Sequence, residues 1–273
     1  MPIMRRSAAA LLAAVALSHP TAAWGADVLA AARQAYNEGH YDAAIQSARA
    51  AAEDEKSATD ARVVLGRALI ERYRQTGRPE DLAEARQVLV TSGGTALAEP
   101  LRSEWLVGSA QALFFEGAFG AAATLFTTLI DDPRAAATVP GGRERLLDWW
   151  ATASDRAAQA RDGHARKAEY SRLDARLEQE LERDGSLGTA AYWRVVAARG
   201  AGDLDAAWDA AMAAWVRAPL AHDRGAELRA DLERIVTQAL IPERARRNGQ
   251  DPEKQAAALR DQWEEFKKRW SNK

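Results

Sequence analysis

The segment "GDLDAAWDAAMAAWVRAP", residues 202–219, shows the pattern that decides the fold. A glycine is followed two residues later by a leucine, then by alanines and tryptophans spaced three and four residues apart. Apolar residues at this spacing share one face of a helix. Glycine suits the end of a preceding helix, because it enters the left-handed conformation without the penalty of a Cβ atom. The segment therefore predicts a tight turn followed by a helix.

The same pattern recurs along the chain. Similar segments begin at Gly39, Gly77, Gly117 and, in degraded form, Gly163, so that with Gly202 the intervals are 38, 40, 46 and 39 residues. Each segment predicts a helix, a tight turn and an antiparallel second helix. One such pair cannot bury its apolar face alone, so neighbouring pairs must stack. The sequence predicts an all-α fold, an α-solenoid of about five stacked antiparallel helix pairs over residues 26–220.

The segment 202–219 resembles the tetratricopeptide repeat (TPR), in which glycine, leucine or an aromatic residue, small alanines and proline recur at set intervals. Ala211 stands where that family usually has an aromatic residue, and the intervals here exceed the family period of about 34 residues. The resemblance implies a concave groove lined by the first helix of each pair, and binding of a peptide or protein partner there. An irregular all-α bundle is the alternative interpretation.

The resemblance also implies which side chains line that groove. Arginine can clamp a carboxylate through two parallel hydrogen bonds, so the expected ligand is a peptide or protein tail with acidic groups. Carried over through the turn glycines, the partner-binding candidates are Arg33, Tyr36, Asn37, Arg67, Glu71, Arg74, Gln75, Gln111, Phe115, Tyr192 and Arg199.

The first residues have the three parts of a secretory signal peptide. Arg5 and Arg6 precede an apolar run over residues 7–17, and small residues follow. The run is too short to span a membrane as a helix, which takes about 20 residues. Residues 1–25 are therefore predicted to be a signal peptide of an exported, periplasmic and soluble protein, with a buried N-terminal helix as the alternative. Nothing later in the sequence predicts a transmembrane segment.

Composition narrows the classes of function. The 273 residues carry a net charge of −2 and contain no cysteine. Near-neutral charge argues against nucleic acid as a partner, and the missing cysteines exclude disulfides, thiolate metal sites and a cysteine nucleophile. No histidine has a second metal-ligand residue at ligand spacing, and no phosphate-binding or serine-hydrolase motif is present. The sequence therefore predicts no enzyme, cofactor or metal site.

Acidic runs and exported helical repeats leave two other functions open. The run at 178–184, with Glu180 and Glu182, is interpreted as a solvated helix face. A cell-wall (peptidoglycan) enzyme or enzyme accessory with an α-solenoid domain would need a held pair of carboxylates. A structural assembly subunit would use end faces instead of a groove. The exported protein-interaction scaffold remains the main expectation.

The last part of the chain, residues 221–273, predicts further helices that cap the array. Leu259, Trp263, Phe266 and Trp270 form one apolar stripe at helical spacing. The apolar area of its three aromatic side chains comes close to that of the largest apolar patch that a soluble monomer usually exposes, about 300–600 Å². Something must cover the stripe, and the last repeat is the expected neighbour. A partner or a second copy of the chain is the alternative.

Overall fold

The computed structural model describes residues 21–247 and 251–270, and within these ranges the chain is helical with no strand. None of the described helices is long and apolar enough to cross a membrane. Most of the predicted signal peptide, residues 1–20, lies outside the described residues. The helices are α1 (Thr21–Asn37), α2 (Tyr41–Ala51), α3 (Ala58–Thr76), α4 (Pro79–Thr91), α5 (Leu101–Phe115), α6 (Phe119–Ile130), α7 (Pro133–Ala137), α8 (Gly142–Gln159), α9 (Gly163–Arg183), α10 (Gly188–Gly200), α11 (Leu204–Arg217), α12 (Gly225–Ile235), α13 (Ile241–Arg247) and α14 (Pro252–Trp270).

Neighbouring helices pack as pairs, as the repeated pattern predicts. Helices α1 and α2, α3 and α4, α5 and α6, and α10 and α11 each contact along their lengths. The turn glycines Gly39, Gly77, Gly117 and Gly202 have φ values of 78°, 70°, 80° and 81°. This left-handed conformation costs glycine little and most other residues more. Four of the five predicted turns are therefore made as the sequence indicates.

The fourth pair departs from the pattern. Gly163 is not in the left-handed region and is the first residue of α9. Asp162 caps this helix instead, because its side chain accepts a hydrogen bond from the backbone N–H of Ala165 at 3.0 Å. Helix α8 packs mainly against α6, and α9 packs mainly against α10. The prediction of a turn glycine at Gly163 is therefore wrong, and α8 and α9 form a more open pair.

Two helical segments contain a proline. In α7, Pro133 occupies the first turn, and the Asp132 side chain accepts a hydrogen bond from the Arg134 N–H at 3.0 Å. Pro242 is the second residue of α13, and the helix continues beyond it to Arg247. A π-helical turn over residues 236–240 precedes this proline. The wider turn makes room for a ring that would otherwise meet the carbonyl four residues earlier.

The core consists of two clusters that meet at α5. The N-terminal cluster contains mainly alanine, leucine, isoleucine and valine side chains of α1 to α5. The C-terminal cluster extends from α5 to α14 and contains six buried tryptophans, namely Trp149, Trp150, Trp193, Trp208, Trp215 and Trp263. Phe115 packs against both clusters. Ala207 is fully buried within α11 while Ala206 is exposed, as the helical register predicts.

The stripe of α14 lies over the last pair, where the sequence predicts a cap. Trp263 is only 1% exposed, and its ring meets the rings of Trp208 and Trp215 edge-on at centroid distances of 5.9 and 5.4 Å. Its Nε1 also donates a hydrogen bond to Glu233 Oε2 at 2.8 Å. Phe266 stacks on Trp263 at 5.6 Å. These contacts join α14 to both α11 and α12.

Glu180 corrects the interpretation of the acidic run. Glu182 is exposed, but Glu180 is completely buried beside the buried Leu181. A buried carboxylate is tolerated when it is paired and hydrogen-bonded. Its oxygens accept hydrogen bonds from three arginines on two helices, at 2.7 Å from Arg143 Nη2, 2.9 Å from Arg176 Nε and 3.3 Å from Arg183 Nη1. The charge of Glu180 thus joins α8 to α9 instead of facing solvent.

Candidate functional site

The first helices of successive pairs surround a cavity of about 500 Å³, called here the central cavity. Helices α3, α5, α8, α10 and α12 each contribute side chains, and Tyr41 of α2 and the segments before α8 and α12 complete the lining. The side chains that carry charge or hydrogen-bonding groups are Tyr41, Glu71, Arg74, Gln111, Glu144, Arg145, Asp148, Trp149, Thr189, Arg224, Glu227 and Asp231.

Carboxylates spaced one helical turn apart give the central cavity its charge. Helix α8 supplies Glu144 and Asp148, and α12 supplies Glu227 and Asp231. Residues four apart lie on one face of a helix, so each pair faces the cavity together. With Glu71 these make five carboxylates, against the three arginines Arg74, Arg145 and Arg224. The lining therefore carries an excess of negative charge.

Most of these carboxylates are held by neighbouring donors. Glu71 accepts a hydrogen bond from Gln111 Nε2 at 3.3 Å and forms an ion pair with Arg74 at 3.1 Å. Glu144 pairs with Arg224 and accepts a hydrogen bond from Thr189 Oγ1 at 3.3 Å.

The third held carboxylate belongs to Asp148 on α8. It accepts a hydrogen bond from Trp193 Nε1 at 3.1 Å and lies 3.7 Å from Arg145 Nη1. Together these donors fix the acidic side chains of α3 and α8 in defined positions. The charges of the cavity are thus held in place by the protein's own side chains.

Two polar atoms among the described residues of the lining have no hydrogen-bond partner. They are Oε1 of Gln111 and Nε1 of Trp149, in side chains that are 3% and 8% exposed. A buried polar atom without a partner costs about 1–3 kcal/mol. One is an acceptor and the other a donor, which is the pair of groups that a peptide backbone requires.

A smaller cavity of about 190 Å³, called here the side cavity, lies between α1, α3 and α5. Arg33 Nη1 donates to both oxygens of Glu104, at 2.7 and 2.9 Å. The Arg67 guanidinium lies 4.6 Å from the centre of the Tyr36 ring and donates to the carbonyl of Thr138. Burial raises the pKa of Tyr36 to about 12, although the charge of Arg67 opposes this shift. The Tyr36 phenol therefore stays neutral at physiological pH.

A short segment, residues 137–141, separates the two cavities and is called here the wall segment. Ala137 and Thr138 line the side cavity, while Val139, Pro140 and Gly141 line the central cavity. The segment belongs to the longest interval between the repeated glycines. The extra residues of this interval therefore lie across the face formed by the first helices.

The two cavities bring together seven of the eleven predicted partner-binding residues. Glu71, Arg74 and Gln111 line the central cavity. Four more line the side cavity, namely Arg33, Tyr36 and Asn37 of α1 and Arg67 of α3.

The other four residues lie elsewhere. Tyr192 lines a small neighbouring cavity that shares Asp231 with the central one. Arg199 pairs with Glu243 of α13 at 2.6 Å, and Phe115 packs on Tyr73 and Trp149. Gln75 is exposed near the end of α3.

The acidic residues of α8 and α12 are the part of the central cavity that the sequence did not reveal. Equivalent positions in different repeats can be identified only where a turn glycine aligns the repeats. The fourth pair has no left-handed glycine, and α12 follows the last one. The detectable signal was the spacing of Glu144 and Asp148, four residues apart on a predicted first helix.

No protein-family model, curated protein or solved structure matches the chain. Among the described residues, no group of histidine, aspartate and glutamate side chains is arranged to hold a metal ion. Any assignment of function must therefore come from the cavities and their side chains.

Proposed function

We propose that the chain is an exported, TPR-like scaffold that binds a segment of a partner protein along the face formed by its first helices. One observation carries this proposal: the central cavity takes side chains from four successive first helices and from α12. Helical repeat proteins use such a shared face for binding because each pair adds a few contacts to a continuous surface. The prepared polar groups of the cavity supply those contacts.

The charge of the central cavity favours a basic group on the ligand. Five carboxylates and three arginines line it, in contrast to the acidic tail expected from the arginines of the sequence alone. Glu227 lies 3.6 Å from Arg224, and Asp231 lies 2.7 Å from Arg234. A lysine or arginine side chain of the ligand would share the carboxylates of Asp148, Glu227 and Asp231 with the protein's own arginines. Complementary charge of this kind contributes mainly to specificity and to the rate of association.

The unpartnered atoms of Gln111 and Trp149 favour a peptide over a small ion. An extended peptide backbone carries both an N–H donor and a carbonyl acceptor at each residue. Both atoms have less than 1 Å² of accessible surface, so each side chain must turn toward the cavity before Gln111 Oε1 accepts that donor or Trp149 Nε1 donates to that carbonyl. A ligand that makes both bonds removes two unsatisfied buried groups at once, and binding gains from this.

The held carboxylates favour recognition over catalysis. The side chains of Glu71, Glu144 and Asp148 are each engaged by an arginine and by a second donor. This arrangement fixes charges in place, as a binding surface requires, whereas a general acid needs a site that favours its protonated form.

An array of short peptides graded in net charge, probed with the purified chain, tests the proposal. We expect binding to rise from acidic to basic peptides. Reversal of two charges, at the exposed Glu227 and the half-buried Asp231 (Glu227→Lys with Asp231→Lys), should weaken the best peptide by at least about tenfold. The matched control is Glu182→Lys, which changes an exposed acid outside the cavity lining. Equal binding by both variants, or no dependence on peptide charge, would overturn the proposal.

A further inference from the structure

A second groove, called here the outer groove, lies between α6 and α9 with α8 as its floor. Its volume is about 420 Å³, and it shares no lining residue with the central cavity. The lining positions recur at helical spacing, with residues 120, 123, 124 and 127 on α6 and residues 169, 172, 173 and 176 on α9. Residues three, four and seven apart form one stripe along a helix. Each wall of the groove is therefore one stripe of a helix, α6 on one side and α9 on the other.

The open pairing of α8 and α9 explains why this groove exists. Helix α8 packs mainly on α6, and α9 packs mainly on α10, so α6 and α9 stand apart over α8. Trp150 and Leu173 are both buried at the bottom. Trp150 Nε1 donates to Thr127 Oγ1 at 2.9 Å, which fixes the indole against the α6 wall.

The two walls differ in size and charge. The α6 wall presents Gly120, Ala123, Thr124 and Thr127, and a Cβ atom added at Gly120 would meet nothing within 4 Å. These side chains are small and uncharged, so a neighbouring helix can come close to α6.

The opposite side of the groove carries Arg161, Arg172 and Arg176 and one acid, Glu169. Glu169 pairs with Arg172 at 2.8 Å and with Arg161 at 3.5 Å, so one carboxylate is shared between two arginines. Both arginine side chains remain at least half exposed, at 70% and 51%. A guanidinium has five N–H donors, so donors remain for a further carboxylate.

We propose that the outer groove binds an amphipathic helix of a partner protein, with a stripe of small apolar residues toward α6 and Trp150 and an acidic flank toward α9. An amphipathic helix binds in a groove through side chains at the same spacing that the walls display. Arg176 is already paired with Asp131 and Glu180, so the excess of positive charge comes from Arg161 and Arg172, which share Glu169. This excess selects an acidic flank, and the small α6 wall selects small side chains opposite it. This site does not depend on the proposed function of the central cavity, which favours ligands of opposite charge.

The probe is a synthetic helical peptide with an alanine and leucine stripe and a glutamate flank, labelled with a fluorophore. Its control has the same stripe and lysines in place of the glutamates. We expect saturable binding of the acidic peptide to the full chain, weakened by added salt because exposed charges are screened. Failure of the acidic peptide to bind, or equal binding of the lysine peptide, would overturn the proposal.

Two kinds of variant locate the site. Thr124→Trp fills the groove from the exposed α6 wall, and Ser171→Trp places the same ring on α9 outside the lining. We expect the first to weaken the acidic peptide at least about tenfold and the second to leave it unchanged. Equal effects of the two substitutions would place the peptide elsewhere and overturn the proposal.

Charge reversal provides a test that does not rely on filling the groove. In the double variant Arg161→Glu with Arg172→Glu, the acidic peptide should lose binding and the lysine peptide should gain it. Both side chains are exposed, so folding should be retained, and circular dichroism checks this. Basic peptides that bind the central cavity should be unaffected by either groove variant. Retained preference for the acidic peptide in the double variant would contradict the assignment.

Discussion

The N-terminal and C-terminal clusters differ in what is buried among their apolar side chains. Among the residues that the structure describes, eight of the ten buried polar or charged ones precede residue 112, and they include Arg67, Glu71, Asp81 and Glu104. The C-terminal cluster buries six tryptophans and the single carboxylate Glu180. Both clusters place alanines where helices approach each other. The alanines and turn glycines thus set the spacing of the paired helices in both clusters. The other core side chains differ: buried charged groups stabilise the N-terminal cluster, and buried aromatic rings stabilise the C-terminal cluster.

The largest expected effect is in the C-terminal cluster. Trp263→Ala should lower the free energy of unfolding by about 3–5 kcal/mol, because it removes a fully buried aromatic side chain. It also leaves the carboxylate of Glu233 without the indole donor. Urea denaturation measures the loss. Trp270→Ala, at the less buried end of the same stripe, is the control and should cost clearly less; equal losses would contradict the role of α14 as a cap.

The matching test in the N-terminal cluster removes a buried charge. Arg67→Ala should cost about 2–3 kcal/mol, because it removes a charged hydrogen bond to Thr138 and the contact with the Tyr36 ring. Arg49→Ala removes an arginine whose pair with Glu84 is exposed on both sides, so it should cost no more than about 1 kcal/mol. Thermal denaturation compares the two variants. If Arg67→Ala is as mild as Arg49→Ala, buried charge does not stabilise this half.

A packing test applies to the feature that both clusters share. Ala207→Leu should destabilise the chain by about 1–3 kcal/mol, because the fully buried Ala207 has no room for a larger side chain. Ala206→Leu, on the exposed side of α11, should be close to neutral. The melting temperatures of the two variants give the comparison. Similar melting temperatures would mean that alanine does not set the distance between paired helices.

The smallest expected effects compare two equivalent turns. Asp203 follows Gly202 and its side chain accepts a hydrogen bond from the Ala206 N–H at 2.9 Å, whereas His40 follows Gly39 and makes no such bond. The backbone angles at the two positions are similar, with φ and ψ of −88° and 80° at Asp203 and −84° and 67° at His40.

Exchanging the capping residues tests this difference. Asp203→Ala should cost about 1 kcal/mol, and His40→Asp should add up to about 1 kcal/mol by supplying the missing cap. Chemical denaturation of both variants resolves changes of this size. A loss of stability in His40→Asp would show that the first turn cannot use a side-chain cap.

Local patterns predicted most of the helices, because helix spacing, turn glycines and proline at a first turn act within a few residues. The packing of the α14 stripe also followed from local spacing, since Trp263 and its neighbours need cover. The burial of Glu180 could not be predicted, because Arg176 and Arg183 are neighbours on α9 but the third partner, Arg143, arrives only when α8 packs against α9. At Gly163 the deciding signal is local, because the side chain of Asp162 caps α9 and favours a helix start over a left-handed turn.

The candidate site was predicted in part for the same reason. Glu71, Arg74 and Gln111 were found because their repeats keep the glycine register. The central cavity also depends on α8 and α12, where that register fails, and these helices supply four of its five carboxylates. The excess of negative charge therefore became visible only once the helices were placed together.

The position of the wall segment in the sequence implies an order in which parts of the chain fold. All side chains of the N-terminal cluster lie at or before Phe115, so this cluster has every apolar partner once α5 has been synthesised. Contacts between helices close in sequence form quickly, and N-terminal parts fold first during synthesis. Arg67 is the exception, because its acceptor Thr138 is 71 residues further along the chain. On a growing chain the side cavity thus stays open until residues 137 and 138 are in place, and the Arg67 guanidinium remains in contact with water until then.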